Sequence, residues 1–255
     1  MDLNQVLCYP HGSLYVGNVL DALQLMPASS ADCCVTSPPY WGLRDYELEP
    51  TVWGGDPDCR HSWGESRKII NGGPIGETSA QVGRGANTAR AKTKSYDGGR
   101  FCGKCDAWLG CLGLEPRPQL YVDHMLLVCR EIWRVLKPGA TLWLNIGDSY
   151  ATPGKGNRRK SGKTVASPPH WQPTRHGCGL KHKDMAAVPW RLAIALQDDG
   201  WWLRSDIIWH KPTAMPQSLQ DRPTTDHEYI FLLTNAEKYY YDAEAIKEPA
   251  SSNSH

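Results

Sequence analysis

Phenylalanine is nearly missing from this chain: there are two among 255 residues, against eleven Trp and eleven Tyr. Flat amphipathic rings in that proportion suit a protein that handles planar ligands or bases, with core packing as the plainer use for most of them. Long apolar runs are missing as well, and none approaches the roughly 18 residues of a membrane-spanning helix. The opening MDLNQVLCYP lacks a basic stretch followed by an apolar one, so a cytoplasmic protein with no membrane partner is expected. Net charge is also small, at +1, with 40% hydrophobic and 22% charged residues. That balance excludes disorder along the whole chain. The length allows one large domain, or a domain of roughly 150 to 180 residues carrying substantial insertions.

Cysteine is not scarce. Nine of them, an odd number, in a long chain without a leader argue against a disulfide framework and for reduced thiols or metal ligands. The small net charge hides an uneven distribution. Residues 1–150 carry 14 basic and 16 acidic side chains, residues 151–183 carry 8 and none, and residues 184–255 carry 6 and 11. The basic segment is rich in Gly, Ser and Pro and has neither helical nor strand period, so it reads as a long exposed loop. A solvated linker is one use for it. Contact with a polyanion is the favoured one, through Lys155, Arg158, Arg159, Lys160 and Lys163, because long structureless loops in compact domains are usually functional.

The remaining pattern alternates strand and helix. Residues 14–16 predict a strand, Gly17 and Asn18 a turn, and the residues before Pro27 one or two helical turns. Residues 31–36, ADCCVT, predict a buried strand in which Cys33 and Cys34 act as small buried hydrophobes. A helix is predicted over residues 118–137, with Val122, Leu126, Cys129, Trp133 and Leu136 on one face. A strand over 141–146 follows. Next come a helix over 185–196 with Asp184 as N-cap, then strands over 202–209 and 229–233. Such alternation predicts an α/β fold with a parallel-rich sheet, in which ligands sit at the carboxyl ends of strands. Residues 42–117 interrupt it, and residues 69–100 within them are Gly-rich and polar enough to be mobile.

Two constellations carry chemistry. Ser37-Pro38-Pro39-Tyr40 follows a strand directly, and its prolines fix φ and offer no N–H. A rigid loop with a hydroxyl acceptor, a free carbonyl and an aromatic face can hold an exocyclic amine and the planar ring that bears it; the plainer reading is a proline turn before an exposed Tyr. Separately, Cys59-x-His61 and Cys102-x-x-Cys105 match the number and type of ligands around tetrahedral Zn²⁺, with Cys111 as a substitute. Unconnected side chains, or redox chemistry at Cys102 and Cys105, are the other readings. A small polar insertion without a core would gain its fold from such a metal.

TSPPYWGLRDY at residues 36–46 resembles the catalytic motif of the amino-methylating DNA methyltransferases, in which an acidic residue, Asn or Ser precedes Pro-Pro and an aromatic residue. LYVGNVLDAL before it, then LWLNIGDSYA, WWLRSDIIWHKP, MPQSLQDRP and HEYIFLLTNAEKYYYDAEAI, follow in the order of the permuted, beta-type members. The resemblance implies a Rossmann-like methyltransferase fold built from residues 1–41 and 118–255, with residues 42–117 as a zinc-binding insertion and 151–183 as a DNA-contacting loop. It implies a restriction-modification enzyme that takes methyl from S-adenosylmethionine to the exocyclic amine of a base flipped from double-stranded DNA.

In that scheme Ser37 and the Pro38 carbonyl accept hydrogen bonds from the amine, Pro39 stiffens the loop and Tyr40 stacks on the base. Asn18, Thr36 and Ser37 border the cofactor, while Trp41 and Lys211 join the basic loop on DNA. Ser at the first motif position favours cytosine N4 over adenine N6. Gly17-Asn18 stands where the family usually has Gly-Asp, and the family's Gly-rich cofactor loop has no counterpart before His255. An incomplete sheet is therefore expected, with a further C-terminal segment or second chain completing the cofactor site. The alternative is a zinc-containing DNA-binding module that needs that segment for activity.

Overall fold

The computed structural model describes residues 4–63, 100–151, 178–214, 216–217 and 220–248. Its elements are β1 (Asn4–Tyr9), β2 (Gly12–Val16), α1 (Val19–Leu25), β3 (Ala31–Thr36), β4 (Thr51–Trp53), β5 (Trp108–Gly110), α2 (Pro118–Val135), β6 (Leu136–Ile146), α3 (Val188–Asp198), β7 (Trp202–His210) and β8 (His227–Thr234). They fall into two compact units. One comprises Met1–Pro38, Met125–Gly147 and Pro189–His255; the other comprises Pro39–His124 and Asp148–Val188. The second unit thus groups the insertion with the flanks of the basic segment. The basic side chains Lys155 to Lys163 and residues 69–99 lie outside the described residues. No helix among the described residues is long and apolar enough to cross a membrane.

The first unit is α/β, built on a four-stranded sheet of order β3-β6-β8-β7. Strand β3 runs parallel to β6, whereas β8 is antiparallel to both β6 and β7. A parallel-rich sheet was expected from the alternation, and the mixed sheet corrects it: among the described residues no helix lies between β7 and β8, and β8 pairs antiparallel with both neighbours, as a return without a crossover does. Strands β3, β6 and β7 consequently end at one edge, where β8 begins. The core lies on the central strands, with Leu142, Leu144, Ile146, Phe231 and Leu233 all buried. The same sheet leaves its outer strands open, since β7 is exposed at all but one position.

Cys33 is exposed and Cys34 half-buried, against the expectation that both are buried. They sit on an outer strand that packs little against either face. Burial and the neighbouring Cys33 still push the Cys34 thiol up to about 11. Helix α2 buries Tyr121, Val122, Met125, Val128, Cys129, Ile132 and Val135. The stripe is centred on Met125 and Ile132, with Leu126 and Trp133 at its margin, since three- and four-residue steps allow either phase until a partner chooses one.

Helix α3 begins at Val188, three residues later than expected, because Ala187 has φ of 54° and cannot be its first turn. The expected N-cap also changes: Val188 donates to Asp148 Oδ1 at 3.1 Å, so the cap comes from the end of β6 and not from Asp184. Ahead of the sheet, β1 and β2 form an antiparallel hairpin that the sequence reading glimpsed only as residues 14–16.

The second unit is organised by tryptophan. Antiparallel β4 and β5 pair Trp53 with Trp108, and both side chains are buried, as is Trp41. Short strands with little aliphatic content gain their core from these large rings, which account for the packing share of the tryptophan excess. Segment 149–151 lies against 183–186 through Ala186 N to Ser149 O, Lys183 N to Ala151 O and Ala151 N to Asp184 O. That pairing closes the base of the basic loop.

Candidate active site

Strands β3, β6 and β7 deliver Ser37, Gly147 and Lys211 to the same sheet edge. Ser37 is exposed, and its hydroxyl lies 3.3 Å from Asn145 Oδ1, to which it donates. A hydroxyl whose hydrogen is engaged in this way can also accept a hydrogen bond at its oxygen. Pro38, Pro39 and Tyr40 follow, each half-buried. Register places Thr36 opposite Leu144 and Ile146 opposite Tyr229, so Ser37 and Asn145 reach the edge from adjacent strands. Thr36, the last residue of β3, is half-buried beside them.

Several expected site residues have other engagements. Trp41, read as a DNA contact, is 1% exposed, and its indole N–H donates to the Glu115 carbonyl at 2.9 Å. It is a core residue, and a ring buried on all sides cannot reach DNA. Asn18, expected at the cofactor, accepts from Leu20 N at 2.9 Å as the N-cap of α1. That is the ordinary work of Asn between a strand and a helix. Lys211 is ion-paired with Glu228, which neutralises its charge locally. Beside it, Asp226 lies 3.3 Å from His227 Nδ1 and 3.7 Å from His210 Nε2. The His227 hydrogen bond in particular holds the Asp226 carboxyl below its ordinary value.

In the second unit, Cys59, His61, Cys102 and Cys105 converge, with all four ligand atoms within 4.8 Å of one another. Cys59 Sγ is 3.9 Å from Cys102 Sγ, and Cys105 Sγ is 3.4 Å from His61 Nδ1. A tetrahedral ion with metal–sulfur bonds of about 2.3 Å sets sulfur–sulfur edges of about 3.8 Å, and the observed spacing fits. Cys102 Sγ accepts the N–H groups of Ser62 and Lys104, each at 3.4 Å. Burial opposes ionisation of this thiol, yet those amides, Cys105 N–H and His61 bring it down to about 5. Gly55, at φ +75° after Gly54 at +65°, lies so close that a Cβ there would meet Cys105 Sγ at 2.9 Å and Ala107 Cβ at 2.6 Å. Cys111 is engaged elsewhere, donating to the Leu48 carbonyl at 3.2 Å.

The sequence reading missed Glu115 and His124, which form a buried pair at 3.0 Å. An acid closing the apolar run Leu112-Gly113-Leu114 and a histidine on the apolar face of α2 were the available signals.

The DNA methylase family model for N6 and N4 methyltransferases matches residues 31–255. The Type II methyltransferase M.SmaI of Serratia marcescens is 40% identical over 238 residues, covering 93% of this chain and 61% of that protein. M.Cfr9I of Citrobacter freundii is 36% identical over 240 residues, covering 94% of this chain and 60% of that protein. The chain thus spans about three fifths of the length of these curated relatives. Among solved structures, the cytosine-N4-specific PvuII DNA methyltransferase aligns with a TM-score of 0.47 at 16% identity, covering 95% of this chain and 58% of that one. Since the family model takes in β3, the Ser37-Pro38-Pro39-Tyr40 loop and everything after it, the chain belongs to the N6/N4 DNA methylase family.

Proposed function

We propose that these residues form the base-handling part of a cytoplasmic, beta-type DNA methyltransferase that methylates the exocyclic amine of a flipped base in double-stranded DNA, cytosine N4 ahead of adenine N6. The observation that carries this reading is the exposed Ser37 hydroxyl, held 3.3 Å from Asn145 Oδ1 at the sheet edge where β3 and β6 end. There Ser37 Oγ and the Pro38 carbonyl accept the two amine hydrogens, Pro39 keeps the loop stiff and Tyr40 stacks on the ring. Holding both hydrogens turns the nitrogen lone pair out of conjugation, and such alignment supplies most of the acceleration.

S-adenosylmethionine supplies an electrophilic methyl group when bound. The described residues fit the acceptor side of the reaction. On the donor side, Thr36 and Ser37 stand at the carboxyl end of β3, whereas Asn18 is committed to its helix. We assign Cys59, His61, Cys102 and Cys105 to a structural Zn²⁺ on the strength of the tetrahedral spacing, and phosphate contacts to Lys155, Arg158, Arg159, Lys160 and Lys163, with Lys211 tied to Glu228. A second reading is a zinc-containing DNA-binding module completed by a further segment or chain. It draws support from the exposed apolar side chains of β7, Ile208 at 54% and Trp209 at 56%.

The test is incubation of this chain, with the part of the M.SmaI polypeptide that it does not match added in trans, with tritiated S-adenosylmethionine and unmethylated duplex DNA, followed by digestion and mass analysis of the nucleosides. N4-methylcytosine is expected, and Ser37→Ala should cut its formation at least about tenfold, the equivalent of 1.4 kcal/mol of transition-state stabilisation. N6-methyladenine as the product would overturn the choice of base; incorporation unaffected by Ser37→Ala would overturn the site.

A further inference from the structure

We propose that Glu115 and His124 are positioning residues for the Ser37-Pro38-Pro39-Tyr40 loop, forming a buried polar anchor from which the second half of that loop is suspended. The inference rests on the function proposed above. Glu115 is fully buried and His124 is 3% exposed. The imidazole lies between two tryptophans, its centroid 5.4 Å from Trp53 and 5.4 Å from Trp108, nearly parallel to the latter at 20°. A carboxyl group in such a place is costly unless every oxygen is engaged. Both are: Oε1 pairs with His124 Nδ1 at 3.0 Å, and Oε2 accepts from Gly113 N at 2.9 Å.

The same short segment then grips the motif. The Glu115 carbonyl accepts the Trp41 indole N–H, and the Gly113 carbonyl accepts Gly42 N at 2.7 Å. Gly113 adopts φ of +91°, and a Cβ there would stand 3.1 Å from Pro39 Cβ, 3.1 Å from Pro39 O and 3.3 Å from Tyr40 O. Residues 39–42 are therefore laid directly on residues 113–115, whose conformation is fixed by one carboxylate. A buried acid–histidine pair serving stability alone needs no such connection. Here two of the three bonds from Glu115 lead, through Gly113 or through Trp41, to residues within two positions of Tyr40, and the third, to His124, fixes the carboxyl group that holds Gly113. Prolines stiffen the loop internally, and the Glu115 anchor fixes where the stiff loop stands.

Three variants test this in the 255-residue chain: Glu115→Ala, Glu115→Asp, which is too short to reach both Gly113 and His124, and Glu115→Gln, which keeps an acceptor for Gly113. The first readout is the Trp41 indole ¹⁵N–¹H resonance, identified by its loss in Trp41→Phe. The second is methyl transfer at saturating substrates with the part of the M.SmaI polypeptide that this chain does not match added in trans, expressed per folded molecule. Glu115→Asp and Glu115→Ala should shift the Trp41 resonance and lower kcat about tenfold or more with KM for DNA within about twofold, while Glu115→Gln stays within about threefold of wild type. If Glu115→Ala does not fold, Glu115→Asp decides. An unmoved Trp41 resonance, or an unchanged kcat per folded molecule in Glu115→Asp, overturns the inference. Absence of turnover by wild type strikes at the proposed function instead, and the Trp41 resonance then decides the anchor by itself.

Discussion

Gly113 concentrates the constraints on the loop into one Cα. Its φ of +91° and the 3.1 Å approach to Pro39 disfavour a side chain for two separate reasons, backbone strain and tight packing. Gly113→Ala should therefore destabilise the protein by about 1 kcal/mol or more, read as a lowered urea midpoint. Glu115 adds a pH signature. Burial raises its carboxyl above the 4.5 of a free side chain, with His124 partly offsetting the rise. A raised folded-state pKa means that its contribution to stability is complete below the unfolded value and is lost as pH climbs through the folded one. Glu115→Gln removes that loss, so its urea midpoint relative to wild type should rise from pH 4.5 upward; a difference constant with pH would refute this.

At this scale, the convergence of Cys59, His61, Cys102 and Cys105 and the place of Ser37 at the end of β3 were legible because residue type and spacing encode them. Trp41 was misread because an aromatic residue beside a motif looks the same in sequence whether it faces solvent or Glu115. Asn18 was misread for a related reason, since a capping side chain and a ligand side chain use the same oxygen.

Elements were legible where the local signal sufficed. Strand β3 was read to the residue because Ser30 and Pro38 bound it, while the start of α3 was missed because Asp148, 40 positions away, supplies its cap. The direction of β8 follows from the lack of a crossover helix, which a list of elements already contains. The β4–β5 pair, three residues in each strand, was too short for periodicity and depends on tertiary partners. Those partners are the tryptophans and the four-ligand cluster, and this dependence makes a prediction. A stoichiometric zinc signal should accompany the purified chain. Chelation, or Cys105→Ser, should release it and loosen the second unit, seen as lost hydrogen-exchange protection at the Trp53 and Trp108 amides. Protection that survives complete zinc removal, or protein isolated without zinc, would contradict the assignment.

Among the described residues, the four-stranded sheet leaves apolar side chains exposed on both of its outer strands. Val35 on β3 is 78% exposed, and Trp202, Ile207, Ile208 and Trp209 on β7 lie between 37% and 56%, so both outer strands of the four-stranded sheet carry uncovered side chains. Single exposed apolar residues are unremarkable, but runs along sheet edges are surfaces awaiting cover. The chain also matches only 61% of M.SmaI. A charged, flexible cofactor needs several backbone and side-chain contacts, and among the three residues expected to bind it one is spent on capping α1. Each roughly 1.4 kcal/mol of missing contact weakens binding tenfold. Isothermal titration of S-adenosylmethionine into these 255 residues should therefore show weak binding. Adding in trans the part of the M.SmaI polypeptide that this chain does not match should tighten it at least about tenfold and protect the Val35 and Ile208 amides from exchange. Micromolar binding with turnover by the 255 residues alone would mean that Thr36, Ser37 and their neighbours already form a sufficient donor site, and that the open strands serve something other than the cofactor.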